Sequence, residues 1–284
     1  MSKNQYGLSR NIPAPIKREV RKKCGFGCVM CGLGIYQYEH IEPPFSEAKK
    51  HDPNKITLLC GSCHEKVTKG VWSKGKVIKA NRNPFCKKSG FTSDFFDIEK
   101  PFGVNVGRLY FYNNEGGSLF NINGSSLLTL RLDQDGPPLL SGNFYDEKTN
   151  STFKIIDNEW SGDINFWDIE ARGSALIIRS RSGDIFLEIE ARPPNVVSIK
   201  RINMSLGGNG IKTNESTGEI MVFSLSGTHI DVSSGLIITK GPLVINNDGY
   251  RIEGGSFVAL GQDGVTLNAL DFESLLKKES LKSI

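Results

Sequence analysis

The spacing of apolar residues near the start of the chain predicts a short helix over residues 13–24. Ile16, Val20 and Cys24 recur at every fourth position, so they would share one helical face. Prolines stand at the beginning of this pattern and Gly25 follows it, as is typical of helix starts and ends. The remaining faces of this helix are rich in lysine and arginine.

The next part of the chain has short apolar segments in place of a long periodic one. Residues 36–43 are predicted as an extended segment that two prolines end, and residues 55–60 as a short apolar strand. Residues 61–70 can form one or two helical turns before Gly70. The predicted order is therefore a glycine-rich turn, a strand, a loop, a strand and a helix.

From about residue 104 onward, the pattern changes to short β-branched or aromatic segments. Asn, Asp and Gly separate these segments about every ten residues, which is typical of an all-β module. Glycine is dense over residues 205–267, and either β-solenoid coils or the hairpins of a β-sandwich would account for it. A terminal helix is predicted over residues 268–282. The predicted fold class is α+β, with a small N-terminal domain followed by a larger all-β domain.

The distribution of charge supports this division. Residues 1–100 contain 19 Lys and Arg against 9 Asp and Glu, whereas the remaining residues contain 16 against 22. We therefore predict a first domain over residues 1–80, a linker over 81–103 and an accessory β domain over 104–284. The basic domain is expected to bind nucleic acid. The β domain is expected to form homo-oligomers, to sense a trigger or to bind a partner protein.

Composition excludes a membrane-spanning helix, because no run of 18 apolar residues exists. The basic start of the chain also lacks the apolar stretch of a secretory signal. We therefore expect a cytoplasmic protein. In that compartment, clustered cysteines bind metal more often than they form disulfides.

All six cysteines lie within the first 86 residues, and four of them form two Cys-x-x-Cys pairs. Two such pairs present four thiolates, which is the ligand set of a closed structural zinc site. Buried or redox-active thiols are the alternative interpretation. The paired residues are Cys28, Cys31, Cys60 and Cys63.

The segments CGFGCVMCG, YEHIEP and ITLLCGSCHEKVTKG resemble the HNH endonuclease family, which has the ββα-metal (His-Me finger) fold. The resemblance covers about residues 13–75 and is to the zinc-containing branch. It implies that His40 is the general base and that Glu39 and His64 bind a catalytic Mg²⁺ or Mn²⁺ ion. It also implies that the four paired cysteines bind the structural zinc.

The middle asparagine of the family does not align with this sequence. Lys55 stands at that position, and Asn54 stands one residue earlier. Asn54 is therefore the candidate for bracing the loop that orients the base. His51, in the same loop, is expected to be an ordinary surface residue, and a contact to another residue of the site or to the substrate is the alternative interpretation.

The resemblance implies a metal-dependent endonuclease that hydrolyses phosphodiester bonds in DNA, of the restriction or antiviral defence type. The first alternative is a zinc-ribbon DNA-binding or adaptor protein without nuclease activity. A second alternative is a phage-borne structural protein with a nuclease-like head. Several cations are candidates for phosphate contacts, although a solvated face is the simpler interpretation of the lysines. These candidates are Arg18, Arg21, Lys22, Lys66 and Lys69.

Overall fold

The chain is divided into two compact units by its internal contacts, and each unit is described by itself. The computed structural model describes residues 3–100, 102–112, 116–132, 135–193, 196–227, 229–232, 236–239, 242–252 and 256–259. Unit 1 comprises Met1–Asp94, Ser161–Arg172 and Ile178–Ser182, and unit 2 comprises Phe95–Trp160, Gly173–Ile177 and Gly183–Ile284.

The described residues form four α-helices, two 3₁₀ helices and a series of short strands. The α-helices are α1 (Ala14–Cys24), α2 (Gly61–Thr68), α3 (Lys74–Arg82) and α4 (Phe85–Ser89). The 3₁₀ helices span Phe45–Glu47 and Pro53–Lys55. The strands are β1 (Gln37–His40), β2 (Ile56–Leu59), β3 (Phe91–Phe95), β4 (Gly103–Val106), β5 (Leu109–Tyr112), β6 (Gly117–Ile122), β7 (Ser125–Arg131), β8 (Leu139–Asp146), β9 (Ser151–Ile156), β10 (Glu159–Asp163), β11 (Asp168–Arg172), β12 (Ala175–Arg181), β13 (Asp184–Arg192), β14 (Val196–Leu206), β15 (Asn209–Thr213), β16 (Ile220–Phe223), β17 (His229–Val232), β18 (Leu236–Thr239), β19 (Leu243–Asn246), β20 (Gly249–Ile252) and β21 (Ser256–Ala259).

Helix α1 confirms the helix predicted from the apolar spacing. Val20 and Cys24 are fully buried, as the common face requires. Gly25 ends the helix at φ 76°, a left-handed conformation that glycine adopts without strain. The backbone N–H groups of Gly25 and Phe26 then donate to the last carbonyls of α1.

Unit 1 has the predicted order of strand, loop, strand and helix after α1. Strands β1 and β2 pair antiparallel, with Glu39 opposite Thr57 and His40 opposite Ile56. All four residues of β2 are buried, and helices α1 and α2 both contact this strand. Helix α2 follows β2 directly, with Cys60 as its N-cap.

Unit 1 also contains segments from much later in the chain. Residues 161–172 and 178–182, which the sequence assigns to the β domain, belong to this unit and include β11 and most of β12. The segment 81–103, interpreted from sequence as a linker, contains the end of α3 together with α4 and β3. Strand β3 pairs with β10.

Unit 2 is built from open sheets. Strands β6, β7, β8 and β9 form consecutive antiparallel neighbours, and β13 pairs antiparallel with β14. Parallel pairs join strands that are distant in sequence: β14 with β4, β18 with β5, and β19 with β6. Phe153 stacks on Trp160 at 5.8 Å between ring centroids, and both side chains are buried.

The α+β class with a large β part is confirmed by these elements. The helix predicted over residues 268–282 lies outside the described residues. Within the described part of the chain, no helix is long and apolar enough to cross a membrane.

Candidate functional site

The two Cys-x-x-Cys pairs converge in unit 1. The Sγ atoms of the four paired cysteines all lie within 4.8 Å of one another. Cys31 Sγ is 3.6 Å from Cys60 Sγ and 3.8 Å from Cys63 Sγ. Four sulfurs at Zn–S distances of about 2.3 Å around a tetrahedral ion would be about 3.8 Å apart. The cluster could therefore hold a metal ion, and its donors and spacing are compatible with structural zinc.

Backbone hydrogen bonds hold the first pair against the second. The Val29 N–H donates to Leu58 O at 3.0 Å, which ties the first pair to strand β2. The Cys28 N–H donates to Leu33 O at 2.9 Å and closes the turn. Gly27 is required here, because a Cβ atom would lie 2.5 Å from Thr92 Oγ1 and 2.6 Å from Gly32 O.

The thiols of the cluster differ in acidity. A hydrogen bond from Cys31 lowers the pKa of Cys28 to about 5, and backbone N–H groups contribute. Burial, together with the negative charge of Cys28, raises the pKa of Cys63 to about 12. The protein alone thus favours a thiolate at Cys28 and opposes one at Cys63. Four thiolates in this space need a bound cation to offset their repulsion.

Glu39 and His64 are brought together beside this cluster. His64 Nε2 lies 3.1 Å from Glu39 Oε2, and both side chains are about one third exposed. Strand β1 supplies Glu39, and the first turns of α2 supply His64. Because Cys60 and Cys63 flank the start of α2, the cysteine cluster orients the helix that carries His64. The pair offers a carboxylate oxygen and an imidazole nitrogen, both of which can bind a divalent ion.

His40 has different partners from its neighbour Glu39. Successive side chains of a strand point to opposite faces, and His40 is 7% exposed. Its Nε2 lies 3.2 Å from His51 Nδ1, and its ring packs against Phe45 at 5.4 Å between centroids. Burial lowers the pKa of His40, and His51 lowers it further. His40 is therefore neutral near pH 7 and can accept a proton.

The structure favours the alternative interpretation of His51, a contact to another residue of the site. His51 was expected to be an ordinary surface residue, yet its Nδ1 contacts His40 and its Nε2 is buried without a hydrogen-bond partner among the described residues. The two histidines are 11 residues apart in the sequence, and no motif joins them that would have indicated the contact.

Asn54 is exposed, and its backbone N–H donates to Asp52 Oδ1. Among the described residues its side chain forms no hydrogen bond with His40 or with the loop. The loop is held instead by Lys23 of α1, whose Nζ donates to Pro53 O and, at 2.9 Å, to Ile56 O. Burial lowers the pKa of Lys23.

Three of the five cations proposed for phosphate contact are exposed. They are Lys22, Lys66 and Lys69, of which Lys69 pairs with Glu65 at 2.8 Å. Arg18 is half-buried and stacks on Trp167, with its guanidinium carbon 3.4 Å from the ring centroid.

Arg21 corrects the expectation from sequence. It is 4% exposed, and its Nε and Nη2 atoms donate to the two carboxylate oxygens of Asp168 at 2.9 and 2.7 Å. Arg21 Nη1 also donates to Tyr38 Oη at 2.8 Å, on the strand that carries Glu39. A guanidinium used in this way inside unit 1 is not available to a phosphate group.

The chain was compared with models of known protein families, with curated proteins and with solved structures, and none of the three comparisons gave a match.

Proposed function

We propose that this protein is a metal-dependent endonuclease of the HNH type that hydrolyses phosphodiester bonds in DNA. The contact between Glu39 and His64 carries the proposal. A protein that only bound DNA through a zinc module would have no need for a carboxylate–imidazole pair beside a neutral, buried histidine. Glu39 and His40 lie on β1, and His64 lies on α2. Strand β1 pairs with β2, and the cysteine cluster lies at the start of α2.

His40 is assigned the role of general base. A phosphodiester is negatively charged, so its hydrolysis requires an activated water molecule and positive charge near the phosphate. Because the pKa of His40 is lowered by burial, its imidazole keeps an unprotonated nitrogen at neutral pH. His51 and Phe45 contact the ring and restrict its orientation.

Glu39 and His64 are assigned to a Mg²⁺ or Mn²⁺ ion. When bound, such an ion would supply positive charge that stabilises the pentacovalent phosphate and the departing oxygen. Glu39 and His64 orient each other through their 3.1 Å contact, and about one third of each side chain is exposed. Substrate oxygens can therefore approach this pair from solvent.

Unit 2 is assigned a regulatory or oligomerising role, as in restriction or antiviral defence effectors. This part of the proposal rests on architectural analogy and on the acidic charge of the chain after residue 100. Light scattering of the full chain tests oligomerisation, and a purely monomeric protein with constitutive nuclease activity would contradict this role.

A plasmid-nicking assay tests the enzymatic proposal. The wild-type protein should convert supercoiled plasmid to nicked or linear DNA with Mg²⁺ or Mn²⁺, and His40→Ala should reduce the rate by about 10²–10⁴-fold. His229→Ala, which changes a histidine of β17 in unit 2, is the matched control and should retain the rate. Equal zinc content in all three proteins would show that unit 1 is intact.

No cleavage by the wild-type protein with either ion, together with retained DNA binding, would favour the zinc-ribbon adaptor. The four-cysteine cluster and the exposed cations alone are sufficient for that second function.

A further inference from the structure

The chain between Lys66 and Ser93 contains eight lysine and arginine residues and no aspartate or glutamate. This segment runs from the second half of α2 through α3 and α4 in unit 1. All eight cations are exposed. We call this set the cationic surface, and its members are Lys66, Lys69, Lys74, Lys76, Lys79, Arg82, Lys87 and Lys88.

Few carboxylates neutralise the cationic surface. In the part of the chain that the structure describes, Lys69 is its one member that forms an ion pair with an acidic side chain, namely Glu65. Lys66 and Lys76 contact the ring of Trp72, and the remaining members form no ion pair within the described residues. Elsewhere in the described chain, charged side chains commonly pair, as Lys200 does with Glu190 at 2.8 Å. An unneutralised surface of this kind attracts polyanions.

Trp72 gives the cationic surface an ordered centre. Lys66 Nζ lies 4.8 Å and Lys76 Nζ lies 4.0 Å from the centroid of the Trp72 ring. Trp72 itself is half-buried and packs against the core of unit 1. The ring therefore holds two ammonium groups, one from α2 and one from α3, by cation–π interactions. Ordering them in advance lowers the entropy lost when a ligand binds.

The position of α2 relates this surface to the proposed active site. His64 lies on α2 together with Lys66, and Lys69 caps the same helix, so the cationic surface begins two residues after the histidine of the Glu39–His64 pair. A membrane surface is a poorer fit, because a membrane-bound helix must direct apolar residues to the lipid. On α3 the apolar Val77 is instead buried in the core at 2% exposure, and exposed apolar side chains of the segment, such as Val71 and Phe85, lie outside α3.

We propose that the cationic surface binds the phosphate backbone of a nucleic acid, with Lys66, Trp72 and Lys76 as its ordered centre. The inference rests on the proposed function, because it names the surface that would hold the substrate. It extends the binding region from α2 to α3 and α4, whose cations the sequence motif does not include. Binding of this kind is independent of base sequence and weakens as the salt concentration rises.

Fluorescence anisotropy with a labelled DNA duplex of about 30 base pairs tests the proposal across a salt series. The measurements use His40→Ala protein without added Mg²⁺ or Mn²⁺, so that DNA remains uncut. Lys74→Ala/Lys79→Ala should bind roughly tenfold more weakly and should reduce the slope of log K against log salt by about 2. The matched control is Lys154→Ala/Lys212→Ala, which removes two exposed cations from unit 2 and should leave the affinity and slope unchanged.

Trp72→Leu tests the ordered centre, because leucine retains apolar packing but has no ring. Its affinity should fall by about threefold to tenfold, whereas Trp72→Phe should restore part of the loss. The inference is overturned if both double variants weaken binding equally. It is also overturned if the Lys74→Ala/Lys79→Ala change reduces binding to acidic phospholipid vesicles but not to DNA.

The two proposals fail in different ways. If the wild-type protein binds DNA through this surface and never cleaves it with Mg²⁺ or Mn²⁺, the nuclease proposal fails and this inference stands. If the wild-type protein cleaves DNA and the Lys74→Ala/Lys79→Ala change leaves the affinity for DNA unaltered, the nuclease proposal stands and this inference fails.

Discussion

His40 and His51 form a pair of imidazoles with 3.2 Å between His40 Nε2 and His51 Nδ1. One nitrogen of the proposed general base is therefore occupied by a second histidine from the loop that connects β1 and β2. His51 does not lie in the Glu39–His64 pair, so its effect on the reaction would be exerted through His40. This makes His51 a positioning residue.

His51→Ala is expected to reduce DNA cleavage by about tenfold, because His40 loses the hydrogen bond that restricts its ring. His51→Asn retains a hydrogen-bonding group and should recover part of the rate. Since His51 lowers the pKa of His40, its removal should move the acid limb of the pH–rate profile to higher pH. An unchanged profile with an unchanged rate would exclude the positioning role.

The loop that carries His51 is expected to depend on Lys23 and not on Asn54. Lys23→Met removes the donor to Pro53 O and Ile56 O while keeping an apolar stem of similar length. It should lower both the unfolding temperature of the protein and the cleavage rate. Asn54→Ala should leave the unfolding temperature and the cleavage rate equal to the wild-type values within error, since Asn54 is exposed. If Asn54→Ala instead lowered the unfolding temperature and the nicking rate more than Lys23→Met does, Asn54 would be the residue that braces the loop.

Metal analysis is expected to find about one zinc ion per chain. Cys60→Ser should abolish zinc binding and destabilise unit 1, because binding of a structural metal is coupled to folding. Cys86 is buried outside the cluster, and Cys86→Ala is the control that should retain zinc. Zinc retained at full stoichiometry by Cys60→Ser would show that the four cysteines are not the ligand set.

Arg21→Met is expected to destabilise the protein by about 1.5–3 kcal/mol, because the buried carboxylate of Asp168 loses both hydrogen bonds from Arg21 and keeps only Arg179, at 3.1 Å. Asp168 is 1% exposed, so water cannot replace the guanidinium. Lys22→Met, at the exposed neighbouring position, should change stability by less than about 0.5 kcal/mol. Denaturant unfolding compares the two, and equal effects would contradict a structural role for the Arg21–Asp168 pair.

Glu170 extends this pair into a network with Arg179, at 3.1 Å between carboxylate and guanidinium. Burial alone would raise the pKa of Glu170, but the positive charges of Arg21, Arg172 and Arg179 lower it overall. The network therefore stabilises the fold above the unfolded-state pKa of Glu170, and this contribution is lost as the pH falls through the folded-state value. Unfolding temperatures measured from pH 7 downward should decline less steeply in Glu170→Gln than in the wild-type protein. Parallel declines would contradict the assignment.

Local sequence patterns were sufficient for the elements around the cysteine cluster. The four-residue apolar spacing and the flanking proline and glycine determine α1, because these features act within one or two helical turns. The Cys-x-x-Cys spacing similarly places two sulfurs on one turn. The contact of Glu39 with His64 followed from the resemblance of the surrounding segments to a known motif. Each of these expectations concerns residues that are close in sequence or joined by a recognisable pattern.

The roles of Arg21, Lys23 and His51 were decided by tertiary structure alone. Arg21 was expected to face solvent as part of a basic helix, but residues 161–172 fold into unit 1 and bring Asp168 to it from 147 positions away. No local pattern encodes such a partner, because a charge has the same sequence signature whether it is solvated or paired. The sequence by itself thus determined the α+β class and the candidate cysteine ligands. Only the packing of distant segments decided which cations are buried, which remain free for a phosphate, and which histidine touches the proposed base.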